Sequence, residues 1–275
     1  MATAREEDGS VQLTVTIPWK DINEEAEREL FELAKTAVVK GFRKGKAPIN
    51  KVREQTSTDD LYQKAIQKLL PKYFGDELKK EGIEPIMYPK FQPISTTEGK
   101  DWQIRAVTAE APDIPLDGYK EKITGELRAK SLKRELSQDE KEQAILAYLS
   151  ENIDFDVPKI LIQEETNSRL SNLIQRLEKL GLDLDGYLRS VGKNARELRE
   201  EYEREARRSL KLELLFGKIA LEEKISAGEE EISQYKRAAS ASSQDAQRLE
   251  SSHARDAIGS IIVKRKVIKS LAGLT

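Results

Sequence analysis

The sequence predicts an α+β protein in two modules: a small N-terminal α+β module over residues 1–116, and an elongated all-helical module with a helical-hairpin arm over 137–275. Three observations carry this prediction. Val11, Leu13, Val15 and Ile17 alternate with Gln12, Thr14 and Thr16, the period of a strand with one buried face. Residues 87–95 and 102–110 read as two further strands joined through a turn at Gly99. Beyond residue 136 the apolar residues recur at helical spacing, and Ser137 with Glu140 and Asn194 with Glu197 have the spacing of capping boxes.

In chain order, a helix over residues 21–39 follows the first strand. Ala26, Leu30, Leu33, Ala34, Ala37 and Val38 form its apolar stripe, and Gly41 supplies a C-terminal cap. Ser57 or Thr58 caps the next helix, with Asp59 and Asp60 favourable in its first turn. There Leu61, Ala65, Leu69 and Tyr73 run at i, i+4 beside Tyr62, Ile66, Leu70 and Phe74, and Pro71 should kink it. Pro112, Pro115 and Gly118 mark a boundary, and the polar stretch 117–136 reads as a linker with some extended structure.

In the second module Ile145, Leu146 and Leu149 share a face of the first helix. The next begins near Pro158, carries Ile160, Leu161, Leu170, Leu173, Ile174, Leu177 and Leu180, and ends at Gly181. A short helix over 183–191 connects it to one running from Asn194 toward Ile225. That helix is thinly apolar until Leu210, Leu212, Leu214, Leu215, Ile219 and Leu221, so the pair should form an antiparallel arm with an exposed tip and a buried root. Residues 238–243 are small and low in complexity. A last helix carries Ile258, Ile261, Ile262, Ile268 and Leu271, a stripe that needs another surface to cover it.

Composition narrows the function. With 275 residues, 38% of them hydrophobic and 35% charged, the chain suits small cores and long solvated helices rather than one large globule. A net charge of −2 argues against wholesale coating of nucleic acid, so no DNA partner is expected and any RNA contact should be local. The absence of cysteine excludes disulfides and thiol catalysis and fits a reducing compartment. Glu6, Glu7 and Asp8 stand where a secretory signal would be apolar, and no apolar run reaches membrane-spanning length. A cytoplasmic protein without a membrane partner is the expectation.

The local charge balance breaks at residues 40–53. Lys40, Arg43, Lys44, Lys46, Lys51 and Arg53 follow one another without an intervening carboxylate, a field that attracts phosphates or acidic side chains. Gly41 and Gly45 permit backbone conformations closed to other residues and Pro48 stiffens the exit, so the loop can hold Phe42, Arg43 and Lys44 at a tip. The plain alternative is a helix cap followed by a solvated lysine-rich loop. The string Gly-Phe-Arg-x-Gly-x-x-Pro at Gly41, Phe42, Arg43, Gly45 and Pro48 resembles the ribosome-docking signature of the bacterial trigger factor family. Average residue usage puts a chance match in a chain of this length on the order of 10⁻⁴. Asp156, Val157 and Pro158, leading into residues 160–165, resemble the family's entry to its first arm, and residues 187–207 resemble the turn and helix that follow.

The resemblance implies an ATP-independent chaperone that docks on the large ribosomal subunit near the polypeptide exit tunnel, on protein and rRNA, and shelters nascent or unfolded chains. It places the contact on Gly41, Phe42, Arg43, Lys44, Gly45, Lys46 and Pro48, with Lys51 and Arg53 adding electrostatic reach. The chain departs from the family in its middle. An FK506-binding-type prolyl isomerase domain normally separates the two modules, and the interval here is far below the ~50 residues an independently folding domain needs. Isomerase activity is a family trait with no domain here to carry it.

No catalytic residue, metal ligand set or cofactor is expected. His253 has no ligand companion at motif spacing and reads as a helix-surface residue. Glu229, Glu230 and Glu231 suit a helix start rather than acid–base chemistry. Leu173, Ile174, Leu177, Tyr187, Leu188, Leu198 and Tyr202 divide between packing within the arm and a shallow surface for unfolded chains, in proportions that sequence does not decide. Two other functions suit parts of the pattern: an rRNA-binding or ribosome-assembly factor using the basic loop, and a peptidyl-prolyl isomerase.

Overall fold

The computed structural model describes residues 3–132, 134–240 and 252–273, and its chain divides into two compact units, Met1–Ala111 and Pro112–Thr275. The first unit is built on a four-stranded antiparallel sheet of order β1-β2-β4-β3: β1 Ala4–Arg5, β2 Ser10–Ile17, β3 Lys90–Ser95 and β4 Trp102–Ala109. The alternation in β2 does what its period requires. Val11, Leu13, Val15 and Ile17 are buried, and Leu13, Val15 and Ile17 lie opposite Ala106, Ile104 and Trp102 of β4. Helices α1 Trp19–Ala34 and α3 Thr58–Glu81 cover this face through Ile22, Leu70 and Phe74. The two-residue strand β1 and the short helix α2 Ile49–Arg53 are too brief to give a periodic signal, and the sequence showed neither. Helix α3 runs on through Pro71, and it ends at Gly82, whose φ of 62° supports a terminal turn from the Ile83 amide to the Leu78 carbonyl at 2.9 Å.

Helix α1 stops earlier than its apolar stripe suggests. The Leu33 carbonyl collects the amides of Thr36 and Ala37 at 3.1 and 2.9 Å and the Thr36 hydroxyl at 3.3 Å, which competes with helix continuation. The chain then leaves the helix, and Val39 is buried among Ala26, Leu30, Val52, Leu61 and Ala65. Gly41 therefore caps no helix and belongs to a turn further on.

The larger correction concerns residues 117–136, expected to be a linker. They contain α4, Tyr119–Ser131, whose Tyr119, Ile123 and Leu127 are buried in the main core of the second unit. The i, i+4, i+8 stripe is a single residue wide and is diluted by charged neighbours, so composition hid it. Burying side chains of this size contributes roughly 1.5–3 kcal/mol each. The Tyr119 hydroxyl also donates to Glu223 at 3.1 Å, and Lys120 pairs with the same carboxylate. Burial, then that hydrogen bond, pushes the Tyr119 phenol above its ordinary range.

The rest of the second unit follows the helical pattern: α5 Gln138–Asn152, α6 Lys159–Lys179, α7 Leu184–Val191, α8 Ala195–Glu222, α9 Glu229–Ser240 and α10 Ser252–Ala272. Both capping boxes form, with Ser137 and Glu140 exchanging bonds of 3.3 and 3.0 Å and Asn194 and Glu197 bonds of 3.0 and 2.9 Å. Ile145 and Leu149 of α5, Leu215 and Ile219 of α8, and Ile268 and Leu271 of α10 meet the α4 stripe, so the last helix finds its cover within the unit. Helix α9 begins at the three glutamates as expected, whereas residues 241–243 and the side chain of His253 lie outside what is described.

Candidate functional site

The basic loop spans the gap between α1 and α2 and is anchored at both ends in one small cluster, by buried Val39 and by partly buried Ala47 and buried Val52. Two tight turns shape what lies between. The Phe42 amide donates to the Val39 carbonyl at 3.0 Å with Gly41 at φ 88°, and the Lys46 amide donates to the Arg43 carbonyl at 2.9 Å with Gly45 at φ 70°. A third bond, from the Gly45 amide to the Ala37 carbonyl at 3.0 Å, closes residues 37–45 onto the end of α1. Pro48 then caps α2, its carbonyl receiving the Lys51 amide at 2.9 Å.

This scaffold leaves Phe42 43% exposed, with Arg43 and Lys44 exposed beside it. The six cations that sequence grouped together separate into two sets. Lys51 pairs with Glu54 at 2.7 Å and Arg53 with Glu27 of α1 at 2.5 Å, and hydrogen bonding to Arg53 holds the Glu27 carboxyl below its ordinary value. Lys40, Arg43, Lys44 and Lys46 have no carboxylate partner among the described residues. Glu54 lies immediately after the basic run and Glu27 one helix back, so the pairing of Arg53 was invisible to a scan along the chain. An aromatic ring amid unpaired cations suits a partner that offers an apolar notch bordered by phosphates or carboxylates.

The second unit holds a different surface. Helices α6 and α8 pack as a hairpin around Leu173, Leu177, Leu188 and Leu198, with Leu170, Tyr187 and Tyr202 half-buried against them. Packing thus takes most of the apolar residues whose role sequence left divided, and Ile174 stays 40% exposed. The hairpin tip adds exposed residues, one of them, Leu180, taken from the expected stripe of α6. At the end of α6 the amides of Leu182 and Gly181 donate to the carbonyls of Leu177 and Glu178 at 2.9 and 3.0 Å, with Gly181 at φ 69°. This leaves Leu180 72% and Leu182 54% exposed, and Val191 of α7 is half-exposed as well. Leu180 was expected on the apolar stripe of that helix and the structure exposes it instead, whereas Leu182 and Val191 lie on no stripe and their signal in the sequence was position beside Gly181 and Gly192. Among the described residues no group of His, Asp and Glu is placed to hold a metal ion, and no helix is long and apolar enough to cross a membrane.

Comparison with known proteins resolves the kinship. A family model described as bacterial trigger factor protein matches residues 1–148, and one for the bacterial trigger factor C-terminus matches residues 115–273. The chain belongs to the bacterial trigger factor family. Curated trigger factors of Staphylococcus aureus strains JH9 and Newman are 29% identical to it over 183 residues, 66% of this chain and 41% of theirs. The match thus spans about two fifths of the length of those relatives. A solved trigger factor chain, reported under "Promiscuous Substrate Recognition in Folding and Assembly Activities of the Trigger Factor Chaperone", superposes with a TM-score of 0.60 over 99% of both chains at 14% identity, a likeness of fold. The N- and C-terminal family models overlap on this chain, and the described residues hold no isomerase domain between the two units, so this is a reduced form of the family architecture.

Proposed function

We propose that this chain is an ATP-independent ribosome-associated chaperone that docks near the polypeptide exit tunnel through Phe42, Arg43 and Lys44 and shelters emerging chains on its helical arm. The observation that carries the proposal is the loop: a half-exposed phenylalanine held beside cations that no carboxylate among the described residues neutralises. Nothing in the fold of the first unit requires Phe42 to face solvent, since the cluster beneath is sealed by Val39 and Val52. Arg43 and Lys44 would meet rRNA phosphates or acidic side chains while Phe42 enters an apolar notch, and Lys46 and Lys40 would add reach. The work would be done in the cytoplasm by reversible burial of apolar segments, with no covalent step. The exposed leucines of the hairpin tip favour this reading over an rRNA-binding scaffold, which has no use for them.

The test is co-sedimentation of the purified chain with ribosomes. Phe42→Ala, Arg43→Ala and Lys44→Ala together should abolish pelleting while circular dichroism stays unchanged, because none of the three side chains is buried in a core. A triple variant that pellets with wild-type affinity would remove the loop from the docking site. Suppression of aggregation of a refolding client, with no ribosome present, tests the sheltering half separately.

A further inference from the structure

The first unit holds an open cleft of about 650 Å³ between α3 and the paired strands β3 and β4. Phe91, Pro93, Trp102 and Ile104 form its floor and Tyr62 of α3 its wall. The rings of Tyr62 and Trp102 lie 5.7 Å apart with their planes at 75°, so they make a corner with two aromatic sides. Trp19, which does not line the cleft, packs edge-on against Tyr62 at 5.3 Å and fixes it. The polar groups of the mouth are Thr58, Asp59 and Gln63 from the start of α3, and Thr96 and Glu98 from the β3–β4 turn. Every one of them can turn an acceptor oxygen inward, and no lysine or arginine lines the cleft. Asp59 and Glu98 are exposed and enter no ion pair among the described residues, and Glu98 accepts a 3.2 Å hydrogen bond from the Tyr62 hydroxyl.

We propose that this cleft binds a small linear organic cation, an alkyl diamine or polyamine, with its methylene stem on the aromatic floor and its ammonium groups at Asp59 and Glu98. The site does not depend on the chaperone reading. Its chemistry rejects the other small ligands in turn. A phosphate or other anion meets two carboxylates and no compensating cation. A bare metal ion needs a shell of converging oxygens, and among the described residues no group of acidic side chains is placed to supply one. A neutral apolar molecule fits the floor but leaves the acceptors of the mouth without donors, whereas each ammonium brings three. Aromatic rings at a corner favour a cation that also carries C–H surface, which an alkylammonium does. The two carboxylates belong to different elements rather than to one cluster, which suits two charged ends on one stem. The positive end of α3, roughly half a charge, is offset by Asp59 and Asp60 in its first turn.

Trp19 and Trp102 are the chain's two tryptophans, one against the wall of the cleft and the other in its floor, so intrinsic fluorescence reports on this site. Titration of the full chain with diaminooctane, and with spermidine, at constant ionic strength should give a saturable change. Octanediol has the same length without the charge and should bind at least about tenfold more weakly. Magnesium chloride should give no saturable change, which separates a built site from general screening. Saturating diamine should also raise the temperature at which tryptophan fluorescence reports unfolding, since a ligand of the folded state alone stabilises it. Glu98→Gln keeps an acceptor for the Tyr62 hydroxyl, and together with Asp59→Asn it should weaken diaminooctane about fivefold with an unchanged circular dichroism spectrum. If the double variant folds poorly, Glu98→Gln alone should still show part of that loss. No saturable change with either amine, equal binding of octanediol, or full affinity in a folded variant overturns the proposal.

Discussion

The Gly45 amide donates to the Ala37 carbonyl at 3.0 Å, and a Cβ on Gly45 would stand 2.3 Å from the Lys35 carbonyl oxygen. The two glycines of the basic loop are therefore not equivalent. Gly41 needs its positive φ but faces open space, whereas Gly45 needs both its φ of 70° and the missing side chain, against backbone that cannot swing away. Gly41→Ala should cost about 1–2 kcal/mol of loop strain. Gly45→Ala should do more, because the hydrogen bond that folds the loop back must break. The expected result in ribosome co-sedimentation is at least about a tenfold loss of affinity for Gly45→Ala and a smaller one for Gly41→Ala. Equal effects would mean that the closed loop is not the docking conformation.

Salt should divide the basic residues as the ion pairs do. Lys51 and Arg53 already have Glu54 and Glu27 as partners, so their charge is largely spent inside the chain. Arg43→Ala should flatten the slope of log affinity against log salt by about 1, and Lys51→Ala should leave it nearly unchanged. Binding isotherms at three salt concentrations decide this, and an equal response of the two variants would mean that Lys51 leaves Glu54 on docking.

How much of this was legible in the sequence depended on whether a residue's role is written in its neighbours along the chain. The strand Val11 to Ile17, both capping boxes and the glycine–phenylalanine–arginine tip were readable because period, spacing and turn chemistry are local. Helix α4 was not, since three apolar residues among ten others make a stripe only once α5, α8 and α10 are there to receive it. The Arg53–Glu27 pair and the acidic mouth of the cleft were equally hidden, each joining residues far apart in sequence. Leu180 was read as part of the α6 stripe, because spacing does not show that the terminal turn at Gly181 exposes it, and Leu182 was overlooked because it lies past the helix end, where no period applies.

Helix α4 sets where the second unit can be cut. A fragment starting at Ser137 lacks Tyr119, Ile123 and Leu127 and uncovers Ile145, Leu215 and Ile219, whereas one starting at Pro112 retains them. Thermal unfolding followed by circular dichroism should show a cooperative transition for 112–275 and a lower, broader one for 137–275. In the full chain, Ile123→Ala and Leu127→Ala should each destabilise the second unit by about 2–5 kcal/mol, the range for buried leucine and isoleucine truncations. Wild-type-like melting of the shorter fragment would return residues 117–136 to the status of a linker.

The start of α5 should be acid-sensitive in a defined window. The Glu140 carboxyl is held down at about 2, first by its bond to Arg134 and then by the Ser137 amide at 3.0 Å. Its folded value lies below the unfolded one, so the stabilisation is complete above pH ~4.5 and disappears as pH falls toward about 2. Glu140→Gln should remove that part of the acid dependence and leave stability at pH 3 closer to that at pH 7. Ser137→Ala, which removes the other half of the box, should cost about 1 kcal/mol at neutral pH. If acid unfolding of the Glu140→Gln protein coincides with that of the wild type, the capping box makes no measurable contribution there.

The hairpin tip offers the sharpest separation between packing and client binding, because neighbouring leucines have opposite fates. Leu177 is buried against Leu173, Leu188 and Leu198, while Leu180 and Leu182, three and five positions later, are turned into solvent by the terminal turn at Gly181. Leu177→Ala should destabilise the arm by about 2–5 kcal/mol. Leu180→Ser with Leu182→Ser should leave stability within about 0.5 kcal/mol, as substitutions at exposed positions do. The chaperone reading requires the opposite order for function: the paired serine variant should suppress client aggregation markedly less than wild type, as measured by light scattering at equal protein concentration. Because its fold is intact, a loss there can come only from the missing apolar surface. Unimpaired suppression would show that clients are held elsewhere on the chain.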